Sequence, residues 1–182
     1  MIIGICGKSG SGKSTIAKQI TEKYKNSVHL DIDKIAHKSH KDKKIKEQLI
    51  NTFSNSILTD NEIDRKKLGN IVFSSKEEMK KLEKITWYFI EKEIDKFIKE
   101  NENKIIILDY ILLPITKFFE KCNIKILVDI PYHIRKERVL KRDNISEESF
   151  DLRDSSSIQY NKNDFNIVLT NEKEDILRRI KI

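Results

Sequence analysis

The sequence is poor in the residues that build disulfide-rich and membrane-spanning proteins. Its 182 residues include only two cysteines, two prolines, five glycines and one tryptophan. Cys6 and Cys122 lie far apart, so neither their number nor their spacing predicts a disulfide framework or a thiolate metal site. No segment approaches the roughly 18 consecutive apolar residues of a membrane-spanning helix. These shortages exclude a small secreted scaffold and indicate one globular domain with a sizeable core.

The beginning of the chain has no charged segment followed by an apolar stretch and a cleavage site. We therefore expect a soluble, unprocessed protein of the cytoplasm, without a membrane partner. The sequence does not address oligomeric state, and we expect a monomer.

The charge of the chain is positive but mixed. Lys and Arg number 36 and Asp and Glu 29, which gives a formal net charge of +7. The basic residues are spread along the whole sequence, and no nucleic-acid-binding motif accompanies them. We expect no nucleic-acid partner, and we expect a basic cleft for a small polyanionic substrate.

Residues 7–14 read GKSGSGKS, a full match to G-x-x-x-x-G-K-[ST]. An apolar segment precedes them and a helical pattern follows, which is the strand, loop and helix setting that this phosphate-binding motif requires. The glycines let the backbone curl until successive amides face inward, and the helix start adds its own free amides. Lys13 can reach the β- and γ-phosphates of ATP, and the Ser14 hydroxyl can bind Mg²⁺. The predicted nucleotide-binding residues of this segment are Gly7, Lys8, Ser9, Gly10, Ser11, Gly12, Lys13, Ser14 and Thr15.

Five short apolar segments, each followed by a helical pattern, predict the fold. They cover residues 2–6, 28–32, 104–109, 124–130 and 166–169. Strands that alternate with helices indicate an α/β fold with a five-stranded parallel sheet.

Residues 1–182 are predicted to form a single domain with a core of residues 1–33 and 104–182. Residues 34–103 lack strand signals and show helical spacing, so we expect a helical insertion that binds the acceptor substrate. The polar segment of about residues 141–163 is expected to form a short lid over the phosphates. An ordinary surface loop remains the alternative for that segment.

Acidic residues follow the second and third predicted strands. Asp31 and Asp33 come after the second, and Asp109 ends the third. Ligands of open parallel sheets bind at the carboxyl ends of the strands, so these side chains are candidates for the substrate site. Asp109 has the position of a carboxylate that holds Mg²⁺ together with Ser14, directly or through water. A capping role at the turn is the alternative for Asp109.

The motifs together resemble the dephospho-coenzyme A kinase family, nearly from end to end. The resemblance rests on residues 7–14, on DIDKIAH at 31–37, DRKKLG at 64–69 and IVF at 71–73, and on VDIP at 128–131, Arg138 with Arg142 and Asp143, and NDFNI at 163–167 ending at Asn171. The elements beyond the loop are more specific than the loop itself, which many nucleotide-binding families share.

The resemblance implies that residues 1–182 form a single P-loop kinase domain with the three-layer P-loop kinase fold. It also implies ATP-dependent phosphorylation of the ribose 3′-hydroxyl of dephospho-coenzyme A, the last step of coenzyme A biosynthesis. It places the catalytic base at Asp33, beside Asp31, and acceptor contacts at Arg65 and His37. It also places Asn171 beside the adenine of ATP.

Charge on the transferring phosphoryl group requires cations, and Lys13, Arg138 and Arg142 are the candidates. Arg142, Lys13 and Asp33 are the predicted catalytic residues. Arg138 and Arg142 lie four residues apart, so solvated charges on one helical face are the alternative for them.

The chain departs from the family pattern at Trp87, Tyr88, Ile115, Arg135 and Ser157, so we expect rebuilt contacts to the pantetheine arm. Two other functions stay open from the sequence. One is another P-loop kinase for a small molecule such as a nucleoside or nucleotide, and the other is a non-catalytic ATP-binding module.

Overall fold

A computed structural model describes residues 1–171 and 175–180 of the chain. In chain order its strands are β1 (Ile2–Cys6), β2 (Ser27–Asp31), β3 (Leu58–Thr59), β4 (Glu62–Ile63), β5 (Ile105–Asp109), β6 (Ile124–Val128) and β7 (Ile167–Leu169). The helices are α1 (Lys13–Lys23), α2 (Ile32–Ser39), α3 (Lys43–Phe53), α4 (Arg65–Ser74), α5 (Lys76–Glu100), α6 (Tyr132–Asp143), α7 (Glu147–Ser155) and α8 (Ile176–Arg179).

The predicted five-stranded parallel sheet is confirmed. Its strand order is β2-β5-β1-β6-β7, and each neighbouring pair is parallel. Apolar side chains such as Ile3, Ile5, Ile107 and Ile126 are fully buried, as expected for a sheet that helices cover on both faces. Because β1 is central and its neighbours β5 and β6 come much later in the sequence, the loop after β1 lies where connections diverge to both sides, the usual ligand position.

The chain forms two compact units, residues 1–33 with 97–182 and residues 34–96. The first unit contains the whole parallel sheet. The second has an apolar cluster of its own, formed by Ile45, Leu49, Phe53, Ile57, Leu68 and Val72.

The expectation that residues 34–103 lack strands is wrong at one point. β3 and β4 pair as a small antiparallel hairpin, with Leu58 opposite Ile63 and Thr59 opposite Glu62. Asp60 and Asn61 between them have positive φ angles of 50° and 61°. Asp and Asn tolerate this conformation, and two successive positive φ angles are what a tight hairpin turn needs. The strands are too short to show an alternating apolar pattern, but the Asp-Asn pair was a usable signal.

Among the described residues, the helices are all too short or too polar to cross a bilayer.

Candidate active site

The loop between β1 and α1 is shaped by its glycines. Gly10 and Gly12 have φ angles of 77° and 95°, in the left-handed region that side chains other than glycine rarely adopt. Gly10 also lies directly against α6, since a Cβ at this position would stand 2.6 Å from the carbonyl oxygen of Arg135. The loop therefore keeps its curl only with glycine at position 10.

α1 begins at the end of this loop, at Lys13, with Gly12 as its N-cap. The Gly12 carbonyl accepts the amides of Thr15 and Ile16 at 3.0 and 3.1 Å, which starts the helix. The amides of Lys13 and Ser14 precede these first helical bonds, as at every helix start, and suit an anion.

The ammonium group of Lys13 lies near the carboxylate of Asp33. Its side chain is 9% exposed, and its Nζ lies 3.9 Å from Oδ2 of Asp33, in the first turn of α2. The Asp33 side chain is 37% exposed and can be reached from solvent. The pair joins a cation suited to a phosphoryl group with a carboxylate that can accept a proton.

The environment of Asp33 makes it more basic than an ordinary aspartate. Burial raises its pKa to about 6, and the charges of Asp109 and Asp31 act in the same direction. Lys13 and the backbone amide of Ile111 lower the pKa but do not cancel the effect of burial. The carboxyl is therefore ionised at neutral pH and still basic enough to take a proton.

Asp109 is a buried carboxylate, 1% exposed, at the end of β5. Its Oδ2 accepts a hydrogen bond of 2.7 Å from the Ser14 hydroxyl and lies 3.5 Å from Nε2 of His29. Its Oδ1 is buried and has no hydrogen-bond partner in the part of the chain that the structure describes. An unpartnered buried oxygen is costly, and Mg²⁺ prefers carboxylate and hydroxyl oxygens, so Ser14 and Asp109 fit that ion.

Among the described residues, there is no group of three or more His, Cys, Asp and Glu side chains that could hold a metal. Mg²⁺ at phosphate-transfer sites usually has only one or two protein carboxylates, and substrate phosphates and water complete its shell. The small protein ligand set is therefore the kind expected for Mg²⁺ with a nucleotide.

The strand register sets Asp31 beside Asp109. The two residues are paired across β2 and β5, at the carboxyl ends of both strands. Asp31, Asp33 and Asp109 thus lie near one another, and their mutual repulsion contributes to the raised pKa of Asp33.

Two predicted phosphate-binding arginines lie on α6, against the loop. Arg138 donates from Nη1 to the carbonyl oxygen of Gly10 at 3.3 Å, and Arg142 donates from Nη2 to the Ser9 hydroxyl at 3.4 Å. Arg142 is 62% exposed and also pairs with Asp143, its Nε lying 2.7 Å from Oδ1. Both guanidinium groups therefore border the loop, and neither is deeply buried.

A buried ion pair joins the loop and α6 to the predicted lid segment, which contains α7. Arg135 of α6 pairs with Asp154 of α7 at 2.5 Å, and both side chains are largely buried. Lys8 of the loop lies 3.7 Å from the same carboxylate. Arg135 also donates to the carbonyl oxygen of Ile130 at 3.0 Å.

The three remaining predicted contact residues, Asn171, His37 and Arg65, are exposed. Asn171 is exposed and follows β7. His37 is exposed on α2, and exposed Arg65 is the first residue of α4. Burial lowers the pKa of His40 to about 4, with smaller contributions from the charges of His37 and Arg65. His37 and Arg65 are therefore near one another in the second unit.

Two residues near the loop were not predicted from the sequence. His29, which faces Asp109, lies two positions before Asp31 on β2, and strand alternation could have placed both on one face. Tyr160 accepts a hydrogen bond of 3.2 Å from the Gly7 amide, a group that was expected to face the nucleotide. Nothing local identifies this contact, because the partners are 153 residues apart in sequence.

Comparison with known proteins gives one consistent family. The dephospho-CoA kinase family model matches residues 1–175. A dephospho-CoA kinase of Aquifex aeolicus is 39% identical over 154 residues, which cover 83% of this chain and 77% of that protein. One of Fusobacterium nucleatum is 39% identical over 153 residues, which cover 81% of this chain and 76% of that protein.

Solved structures agree with this result. The Thermus thermophilus protein TT1252 has a TM-score of 0.76 at 27% identity, covering 94% of this chain and 88% of that one. Dephospho-CoA kinase from Campylobacter jejuni has a TM-score of 0.54 at 27% identity, covering 95% of this chain and 89% of that one. With the phosphate-binding loop, the sheet order and the family match in agreement, the chain belongs to the dephospho-CoA kinase family.

Proposed function

We propose that this kinase transfers the γ-phosphoryl group of ATP to the ribose 3′-hydroxyl of dephospho-CoA, giving CoA and ADP. The observation that carries the proposal is the distance of 3.9 Å between Lys13 Nζ and Asp33 Oδ2. A lysine that can bind the γ-phosphate and a base that can bind the attacking alcohol must be neighbours for transfer between them.

Asp33 is the proposed general base. A ribose hydroxyl is a weak nucleophile, so it needs a positioned acceptor for its proton as the new O–P bond forms. The pKa of about 6 suits this task, because the group is ionised at neutral pH and remains a better base than an ordinary aspartate. Asp31 repels its charge and supports that basicity.

Lys13, Arg138 and Arg142 are the proposed cations for the transferring phosphoryl group. Guanidinium groups can bind phosphate oxygens with two donors, and both arginines already hydrogen-bond to the loop. Ser14 and Asp109 would hold Mg²⁺, which neutralises charge on the β- and γ-phosphates when it is bound.

The acceptor contacts are proposed from the family pattern. Arg65 and His37 are exposed and influence a common neighbour, His40, so both can serve one anionic ligand of the second unit. Asn171 is the proposed neighbour of the adenine of ATP.

The test is ADP release from ATP by the purified chain with Mg²⁺ and one acceptor at a time. The acceptors are dephospho-CoA, adenosine, AMP and 4′-phosphopantetheine, and GTP replaces ATP in a parallel series. We expect turnover with dephospho-CoA and ATP, and a product with a 3′-phosphate by mass and phosphorus NMR spectra. Turnover only with a nucleoside or nucleotide would favour another small-molecule kinase. ATP binding without turnover on any acceptor would favour a non-catalytic module.

A further inference from the structure

The hydroxyl of Tyr160 connects two parts of the active site that are distant in sequence. It accepts the backbone N–H of Gly7 at 3.2 Å and donates to the backbone carbonyl of Ile111 at 2.8 Å. A phenol has one hydrogen to donate and lone pairs to accept, so both bonds can form at once. Gly7 opens the phosphate-binding loop, and Ile111 follows the end of β5 by two residues.

The two backbone partners fix the direction of these bonds, because an N–H can only donate and a carbonyl oxygen can only accept. The surroundings of the phenol keep it protonated. Burial raises the pKa of Tyr160 far above its usual value, and the charges of Cys6 and Asp33 add to this effect. The hydroxyl is therefore protonated at neutral pH. It remains a donor to Ile111 and an acceptor for Gly7.

The ring of Tyr160 is anchored by other aromatic side chains. It packs edge-on against Phe165 with ring centroids 6.0 Å apart, and Phe165 packs in the same manner against Phe119 at 5.4 Å. Such contacts hold the ring through its apolar surface. The ring contacts and the two hydrogen bonds together hold the hydroxyl in place.

Ile111 leads from Tyr160 to the proposed base. Its carbonyl accepts the Tyr160 hydrogen, and its own backbone N–H lowers the pKa of the Asp33 carboxyl. Tyr110, the residue before it, is tied to β1 by a hydrogen bond of 3.1 Å from its N–H to the Ile5 carbonyl. The hydroxyl of Tyr160 restrains the peptide that follows Ile111, which adjoins the peptide whose N–H acts on Asp33.

We propose that Tyr160 is a positioning residue for phosphoryl transfer, whose hydroxyl holds the first amide of the phosphate-binding loop and the Ile111 backbone at a fixed separation, so that Asp33 stays aligned with the loop. This inference rests on the proposed role of Asp33 as base. Tyr160 touches no reacting atom and acts through Gly7 and Ile111. Loss of its hydroxyl leaves a backbone donor and a backbone acceptor unpaired together.

The experiment replaces Tyr160 by phenylalanine, which keeps the ring and removes both hydrogen bonds. We expect kcat to fall about tenfold, because small misplacements of a catalytic group have large effects on rate. We also expect the acidic limb of the pH profile of kcat/KM to move to higher pH, because the Ile111 donor is no longer held against Asp33. Substrate ionisation is the same for both enzymes and cancels in the comparison.

Tyr132→Phe is the matched control. Tyr132 is 44% exposed on α6, its hydroxyl is hydrogen-bonded to Asp151, and its ring packs against Phe150. This variant also loses one tyrosine hydroxyl with a polar partner. Among the described residues, the Tyr132 hydroxyl makes no hydrogen bond to the loop or to Ile111. We expect its kcat and pH profile to match the wild type.

A double-mutant cycle separates positioning from general stability. If Tyr160 acts through Asp33, then Tyr160→Phe should change kcat little in an Asp33→Asn background. Phe165→Leu supplies the opposite case, since it loosens the ring packing and keeps the hydroxyl. It should lower the melting temperature and leave the acidic limb in place.

Three outcomes would overturn the inference. These are a Tyr160→Phe kcat within twofold of the Tyr132→Phe value, an acidic limb that does not move, or full additivity with Asp33→Asn. Failure of the proposed function gives a different result, in which the wild type itself does not turn over dephospho-CoA. In that case the same variants are compared on whichever acceptor the wild type phosphorylates.

Discussion

The two sides of the phosphate-binding loop are built in different ways. On the side of β2 and β5, Lys13 and Asp109 are buried, and the strand register places Asp109 beside Asp31. On the side of α6, Arg142 is largely exposed and already occupied by Asp143. The first side is in place without a ligand, whereas Arg142 would have to exchange the Asp143 carboxylate for a phosphate in its proposed role. We therefore expect substitutions on the first side to reduce kcat most, and those on the second to act mainly on KM.

The largest effect is expected for Asp33→Asn. An amide cannot accept the proton of the attacking hydroxyl, so kcat should fall by about 10² to 10⁴, the range for positioned proton acceptors. Affinity for ATP, measured by calorimetry, should stay near the wild-type value. Asp129→Asn is the control, because Asp129 also follows a strand of the same sheet but pairs with Lys162 on the surface. Unchanged turnover in Asp33→Asn would reject Asp33 as the base.

The raised pKa of Asp33 predicts a second difference between the wild type and Asp33→Asn, in their dependence on pH. With a pKa of about 6, wild-type kcat/KM should fall about tenfold for each pH unit below that value, and Asp33→Asn should lack this limb. The folded state binds the Asp33 proton more tightly than the unfolded state, so ionisation destabilises the fold as pH rises from about 4 through about 6. Asp33→Asn should therefore raise the melting temperature at about pH 8 and not at about pH 4. A lower melting temperature at both would contradict this assignment.

Lys13→Ala ranks next. Loss of a buried cation directed at developing charge typically lowers kcat by about 10² to 10³. Lys18→Ala is the control, since Lys18 is exposed on the same helix and its ammonium lies 3.7 Å from the exposed Glu22 carboxylate. Circular dichroism should show both variants folded, and an active Lys13→Ala enzyme would count against the loop as the ATP site.

Arg142→Ala tests the exposed side. A charged hydrogen bond of about 1.5 kcal/mol corresponds to roughly tenfold, and we expect this loss in kcat/KM for ATP, mainly through KM. Lys141→Ala removes a neighbouring exposed charge on α6 and should have little effect. A fall in kcat as large as that of Lys13→Ala would break the contrast between the two sides.

The smallest effect, and the only gain, is expected for Asp143→Asn. Removing the competing carboxylate leaves Arg142 available to phosphate, and an exposed pair contributes at most about 1 kcal/mol. KM for ATP should fall by no more than about fivefold. Asp151→Asn is the control, because Asp151 is exposed on α7 and pairs with Lys136. A higher KM would mean that Asp143 orients Arg142 for binding and does not compete for it.

The features predicted correctly from the sequence are those encoded locally. The loop motif, the apolar segments and the order of strands and helices predicted the parallel sheet, because each depends on residues that are close in sequence. The functional assignment came from the resemblance of these motifs to the dephospho-coenzyme A kinase family, and the family match confirms it. Roles such as that of Asn171 stay predictions.

What the sequence did not predict depends on pairings between distant segments. The Tyr160 hydrogen bonds span 153 and 49 residues, and the Arg135 ion pair with Asp154 joins two helices. Only the folded arrangement brings these groups together. The β3–β4 hairpin was missed for another reason, since its strands have two residues each and carry no periodic signal.

The position of Gly10 has a consequence for how this enzyme can change. A single added methyl group there would meet the Arg135 carbonyl oxygen at 2.6 Å and the Val139 side chain at 2.9 Å. Backbone cannot move aside as a flexible side chain does, so even alanine would push α6 outward and carry Arg138 and Arg142 with it. The absence of a side chain at Gly10 therefore sets the distance between the phosphate-binding loop and the two arginines of α6. We expect libraries of variants at position 10 to contain no active enzyme other than the one with glycine.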